Sequence, residues 1–346
     1  MKHYMTALGA LALSTGLAQA GGFDRSGQGI GFIFEKGNYA ELSFGQVTPD
    51  VRTNPDIFGN VAGAYTSASL AFKMDVNDKL SLGLMIDQPY GADIDYGMPY
   101  SPPASYNLSA HLTSQAITGI ARYKFNEAFS VHAGLSQVTV DGVLQLPPRF
   151  PVNVPIVFDA DSDTGYLVGV AFEKPEIAMR VALTYYSGTD HALTSVPALP
   201  GNTINPPQAV NLDFQTGIAK DTLLFGSVRW VGWTETAIIV GGAPIVTYAN
   251  DTIAYSLGIG RRFTENWSAA LTVGYESGDG LIASRLSPTD GYASIGLGAT
   301  YTKDNMKISA GLRYVELGNA TTEGLPVNSW QGNSAVGIGV KIGFTF

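Results

Sequence analysis

The chain closes on an alternating run. Val336, Ile338, Val340, Ile342, Phe344 and Phe346 fall on one face, and Gly337, Gly339, Lys341, Gly343 and Thr345 on the other. Successive side chains of a strand point to opposite faces, so this run predicts a strand with one wholly apolar side. The same pattern marks fourteen candidate strands, over 39–47, 62–73, 80–87, 109–124, 129–143, 164–172, 178–187, 210–219, 222–233, 252–263, 267–277, 291–300, 306–316 and 333–346. The segments between them alternate in length. Short connections such as 126–128, 220–221 and 264–266 take turns with long ones such as 88–108, 144–163 and 188–209. Antiparallel strands with short turns at one end and long loops at the other predict an all-β fold: a transmembrane β-barrel of about 14 strands, apolar outside and polar inside. Both chain ends then share the short-turn side, which is periplasmic in a bacterial outer membrane, and the long loops are extracellular.

Strand parity sorts individual side chains. Leu82, Leu84 and Ile86 oppose Ser81 and Asp87; Ile117 and Tyr123 oppose Thr118 and Arg122; Val181 and Leu183 oppose Arg180; Val228 opposes Arg229; Ile308, Leu312 and Tyr314 oppose Arg313. An arginine facing lipid at mid-membrane costs about 2–4 kcal/mol, so Arg122, Arg180, Arg229 and Arg313 are expected to face the lumen. Glu41, Asp87 and Glu276 fall on the same polar faces and are their expected partners. These residues read either as a charge ladder that keeps the interior hydrated or as a polar patch on a substrate route.

The N-terminus gives an address. Lys2 precedes a short apolar run, and Ala18-Gln19-Ala20 is an Ala-x-Ala cleavage signal, so residues 1–20 read as a secretory signal peptide. No later run approaches the about 18 continuous apolar residues of a helical span. The mean hydropathy of +0.10 suits a barrel, because lumen residues dilute the lipid-facing ones. The 346-residue chain has no cysteine, hence neither disulfides nor thiolate chemistry. A formal charge of −9 gives no basic surface for nucleic acid. There is no close histidine pair for zinc, and Gly27-x-Gly29-x-Gly31 lacks the Gly-Lys-Ser/Thr ending of a phosphate loop. His132 shares strand parity with Ser130 and Ser136, a pairing that an alternating small and polar face yields readily. No enzyme activity, metal or other cofactor is expected.

The long loops are unusually apolar. Residues 88–108, 144–158 and 193–210 carry many prolines together with Tyr100, Phe150, Phe158, Val196 and Leu199. Such surface either packs into a lid or captures a hydrophobic ligand from outside.

The chain resembles the outer-membrane long-chain fatty acid transporter family, which includes aromatic-hydrocarbon channels. The resemblance runs over the whole mature chain. It is carried by Gly21-Gly22-Phe23-Asp24-Arg25-Ser26-Gly27-Gln28, Asp87-Gln88-Pro89-Tyr90-Gly91-Ala92, Phe263-Thr264-Glu265-Asn266-Trp267-Ser268 and the aromatic last strand. It implies a fourteen-stranded barrel plugged by its N-terminal segment, here the short stretch 21–38 ahead of a barrel over 39–346. It also implies capture of a hydrophobic molecule by the loops, passage to an internal apolar site, and release through a side opening. Family plugs are longer and carry an Asn-Pro-Ala step; Asn54-Pro55-Asp56 follows the first strand and is not that step. Phe23, Phe32 and Phe34 are the expected substrate contacts near the plug, and Tyr100, Phe150 and Phe158 those of loop capture. An inward arginine could meet a fatty acid carboxylate. The expected function is passive uptake of hydrophobic molecules, long-chain fatty acids first; a non-specific porin, a small aromatic hydrocarbon channel and a structural barrel are the alternatives. The expected partners are these small molecules, outer-membrane lipids, and the barrel-assembly machinery through Phe346. Closure removes every sheet edge, so a monomer suffices.

Overall fold

The computed structural model describes residues 22–97, 108–147, 154–323 and 327–346. The segments 1–20, Tyr100 and Phe150 therefore lie outside the described residues. Fourteen antiparallel strands form the wall: β1 (Tyr39–Asp50), β2 (Tyr65–Asp75), β3 (Leu80–Asp87), β4 (Ser109–Lys124), β5 (Phe129–Gln145), β6 (Ile156–Lys174), β7 (Met179–Tyr186), β8 (Ala209–Ala219), β9 (Thr222–Val231), β10 (Thr252–Arg262), β11 (Trp267–Glu276), β12 (Tyr292–Lys303), β13 (Met306–Leu317) and β14 (Ser334–Thr345). Each pairs with its neighbour in sequence, and β1 closes the ring onto β14 from Tyr39↔Thr345 to Asp50↔Ser334.

The exposed residues explain the medium. Phe44, Leu70, Leu84, Ile117, Leu135, Val170, Leu183, Leu257, Leu297, Leu312 and Ile338 all point out of the wall with 43–65% of their surface bare. A continuous apolar belt of this kind is penalised in water and is satisfied by lipid tails. Aromatic rings edge the belt. Tyr123–Phe125, Phe129–Phe172 and Trp267–Tyr301 stack near the short turns, with ring centroids 5.0–5.4 Å apart. Tyr166–Tyr185 stacks on the loop side at 5.9 Å. Tyr255 on β10 and Phe263 just past its end are eight residues apart. At about 3.3 Å per residue and a tilt of about 45°, that places the two edges roughly 20 Å apart across the bilayer.

Most strand boundaries shift by one to three residues from the sequence reading, and two changes bear on what the strands do. The strand expected from Thr164 starts at Ile156, and so absorbs Phe158 and the Asp159-Ala-Asp-Ser-Asp163 stretch. Acidic residues with no apolar face suggest a loop, but here they lie on β6 beyond the belt. There Asp161–Asp163 pair with β5, and Asp163 and Asp159 accept hydrogen bonds from the Asp190 N–H and Thr194 Oγ1 of the loop above rather than meeting an apolar core. At the other extreme, Trp233 leaves β9 for a single 3-10 turn, Trp233–Glu235, and buries its indole. Beyond the wall the long loops fold into small sheets, including one whose strands are His191–Leu193, Asn202–Ile204, Ala237–Val240 and Ala243–Thr247.

Candidate functional site

The N-terminal segment crosses the lumen and is tied to the wall at three places. At the first, Gly91 N–H donates to the carbonyl of Phe23 at 2.8 Å and Arg25 N–H to that of Pro89 at 2.7 Å, so the segment lies along the chain that follows β3. At the second, Arg229 of β9 donates through Nε to Asp24 at 2.7 Å, and through its other nitrogens to Asn211, the Gly27 carbonyl and Gln28. The Asp24 side chain has no exposed surface. At the third, a 3-10 turn over Gly31–Phe34 sits on β3 at Gly83. A Cβ at Gly83 would come 2.8 Å from the side chains of both Ile33 and Phe32, so any larger residue there displaces them. Lys73 Nζ donates to the Glu35 and Gly37 carbonyls at 2.8 Å and ends the crossing.

Between the plug and the wall strands β7 to β14 lies a cavity of about 270 Å³. Ile30, Phe32, Phe34, Leu223, Phe225 and Tyr292 give it apolar surface, and Arg180, Arg229, Arg313 and Lys341 with Glu35, Glu41 and Asp213 give it charge of both signs. The cavity exists because the wall there lacks side chains. Gly45, Gly339, Gly311 and Gly298 are cross-strand neighbours on four successive strands and form an inward row without Cβ atoms. Gly274 leaves room for the Arg313 guanidinium, since a Cβ at that position would lie 2.6 Å from Nη2.

The four arginines divide into two pairs. Arg122 and Arg229 are bound within the protein, to Glu173 and Asp24 respectively. Arg180 lies over the Phe34 ring at 4.7 Å, and Arg313 donates to Ser294 Oγ through Nε at 3.0 Å and Nη2 at 2.7 Å. Neither Arg180 nor Arg313 forms an ion pair with a described residue, and both line the cavity. For two of the expected carboxylate partners the structure shows another contact. Glu41 binds Lys341, and Asp87 accepts from Ser26 Oγ at 2.7 Å. Glu276 is buried on the inner face of β11. The carboxylates that hold Arg122 and Arg229 come from the turn-side end of β6 and from the plug, positions that strand parity does not single out.

Among the described residues, the pairing of the wall breaks between β2 and β3. β2 is laddered to β3 only from Asp75↔Ser81 to Leu70↔Ile86. Beyond that point Gln88-Pro89-Tyr90 bends inward to the plug, where Asp24 pairs with Tyr90, and Tyr65–Ser69 keeps only β1 as a neighbour. Gln88 Oε1 takes up the Ala68 N–H at 3.2 Å. The chain rejoins further out, where Gly63 N–H donates to the Asp93 carbonyl at 2.9 Å and Asp95 N–H to that of Val61 at 2.8 Å. The result is a window between Tyr65–Ser69 and Asp87–Gly91. Phe44, opposite Ala68 in the ladder, is 54% exposed on the outer surface, so the window lies at the depth of lipid tails. Unpaired backbone at that depth is tolerated where it lines a cavity.

Of the sequence-predicted aromatic contacts, Phe32 and Phe34 line the cavity. Phe23 instead packs among Tyr90 at 5.6 Å and Trp233 at 5.2 Å, with Tyr248 behind Trp233 at 4.9 Å. Phe158 is half-buried under the outer loops. His132 and Ser130 do not combine: Ser130 Oγ accepts from Arg122 Nε, and His132 Nε2 shares a hydrogen with Thr184.

No family model matches the chain, and no curated protein matches it. Solved structures match its fold. A Pseudomonas aeruginosa FadL homologue superposes with a TM-score of 0.71 at 15% identity, over 91% of this chain and 92% of that one. The Pseudomonas putida toluene transporter TodX gives 0.66 at 13% identity over 90% of each chain, and the Ralstonia pickettii toluene transporter TbuX gives 0.66 at 14% over 99% of each. The chain has the fold of these outer-membrane transporters, and the resemblance read from its sequence is borne out at that level.

Proposed function

We propose that this barrel carries out passive uptake across a bacterial outer membrane of molecules with an apolar tail and an anionic head, long-chain fatty acids above all. The observation that carries the proposal is that Arg180 and Arg313, neither in an ion pair with a described residue, share one cavity with the Ile30, Phe32, Phe34 and Phe225 surface, although Glu35 and Asp213 also line it. A guanidinium binds a carboxylate through paired N–H donors, while each buried CH₂ of a tail contributes about 0.8 kcal/mol. No covalent step and no energy source is needed: the molecule moves between successive apolar sites down its gradient. The cavity is slightly smaller than the roughly 300–1,000 Å³ of usual ligand pockets. A long tail held by its head at Arg180 and Arg313 must therefore extend past the plug, and the window in the wall gives it an exit into the membrane.

Support comes also from the transporters that share the fold. Two of them are toluene transporters, and the Phe23–Tyr90–Trp233–Tyr248 aromatic cluster beside the plug favours a second reading, a monoaromatic hydrocarbon as cargo. The two differ in the need for charge. Phe346, 63% exposed at the turn-side end, serves in this account as the handle for barrel assembly, and a monomer forms the complete route. The test is saturable binding of labelled oleate to the purified barrel in nanodiscs. Binding that weakens in Arg180→Gln and Arg313→Gln supports the carboxylate reading. Equal binding of oleate and its methyl ester, unaffected by either substitution, transfers the site to uncharged hydrocarbons.

A further inference from the structure

The window and the cavity are separated by a single step of the chain. Ser26 lines the cavity, and its neighbour Arg25 reaches into the window. There the guanidinium carbon of Arg25 lies 3.8 Å from the centroid of the Tyr65 ring, on the unladdered stretch of β2. Both sides of the window are shaped for this side chain. At Gly91 a Cβ would lie 2.6 Å from Arg25 Nε, so any larger residue evicts the guanidinium. The Arg25 backbone is fixed by its bond to the Pro89 carbonyl, leaving the side chain as the part that can swing.

We propose that Arg25 and Tyr65 form a latch that closes the lateral window. The guanidinium stacked on the ring fills the opening, and rotation of this one side chain joins the cavity to the bilayer while the plug stays in place. The latch serves the uptake route proposed above. An anionic head leaving the cavity through the window passes Arg25, and a carboxylate competes with the Tyr65 face for the same cation, so the cargo's own charge releases the gate.

The absence of cysteine permits a test that involves no cargo. Ser227→Cys places a thiol on the cavity wall as a conservative replacement. Its labelling in proteoliposomes is followed with a membrane-partitioned pyrene maleimide and with a bulky, water-soluble charged maleimide, in three backgrounds: the parent latch, Arg25→Met and Tyr65→Leu. Resistance of the unheated barrel to unfolding in SDS controls for assembly. A cation–π contact of ordinary strength corresponds to roughly a tenfold change in the open population. The expected result is therefore a rise of roughly tenfold in pyrene maleimide labelling in both variants, with the water-soluble reagent unchanged. Unchanged labelling by both reagents overturns the latch. A parallel rise for both reagents also overturns it, because it means that the whole plug has moved. Since no fatty acid is used, failure here is separate from failure of the binding experiment.

Discussion

Replacing Arg229 by leucine should loosen the plug without opening the wall. Arg229 donates to Asp24, Asn211, the Gly27 carbonyl and Gln28, and three of these four partners belong to the plug. Asp24 has no exposed side-chain surface, so the variant leaves a carboxylate buried without its cation. Breaking a buried pair in this way costs about 3–5 kcal/mol. The wall is held by a closed ring of ladders, so the loss falls on plug docking. The plug keeps the Phe23–Gly91 and Arg25–Pro89 backbone bonds, the Tyr186 Oη to Gln28 carbonyl bond at 2.6 Å and the Lys73 clamp. A penalty of this size raises the population of undocked plug by roughly 10²–10³-fold. In planar bilayers, Arg229→Leu should therefore show frequent conductance steps where the parent is quiet. Asp24→Leu combined with Arg229→Leu should be quieter than Arg229→Leu alone, because no orphan charge remains. If Arg229→Leu assembles normally and is as quiet as the parent, the ion pair does not hold the plug. If the double variant is noisier than the single one, the orphan-charge reasoning is refuted.

Three further outcomes follow from the same geometry. Gly311→Leu puts a side chain into the glycine row behind the cavity and should cut oleate binding at least tenfold, with barrel assembly and SDS resistance intact; nanodisc binding and gel mobility check both halves. Arg180→Gln removes a charge-assisted contact worth about 1.5–3 kcal/mol, so oleate affinity should fall roughly 10–100-fold while toluene entry in a vapour-phase uptake assay stays the same. Deletion of Phe346 should lower the amount of folded barrel in the outer membrane without changing the binding constant of the fraction that folds, as surface labelling and titration would show.

The wall was legible because lipid imposes its pattern on every strand: Leu82, Leu84 and Ile86, or Ile308, Leu312 and Tyr314, announce their face by parity alone. The inward arginines followed from the same cost. Their partners did not, because pairing depends on distance in space. Asp24 and Arg229 are 205 residues apart, and Glu173 sits at a strand end where parity carries no penalty. The outer half of β6 was hidden because strands in water need no apolar face. The window was hidden inside a segment that reads as the start of a loop, although Pro89, with no N–H to give, marks where β3 must leave its ladder. The row Gly45–Gly339–Gly311–Gly298 was present as glycine abundance, but only register brings these four residues side by side.

The central claim is selective passage of an anionic amphiphile, and uptake into cells tests it most directly. Labelled long-chain fatty acid is supplied to cells whose single candidate outer-membrane transporter is this barrel, against a strain without it and with surface expression matched. The account predicts saturable fatty acid uptake above the control, with no gain in passage of a polar sugar of similar size. Sugar passage with unsaturable fatty acid entry would make the barrel an open pore. No fatty acid uptake at full surface expression would contradict the account outright.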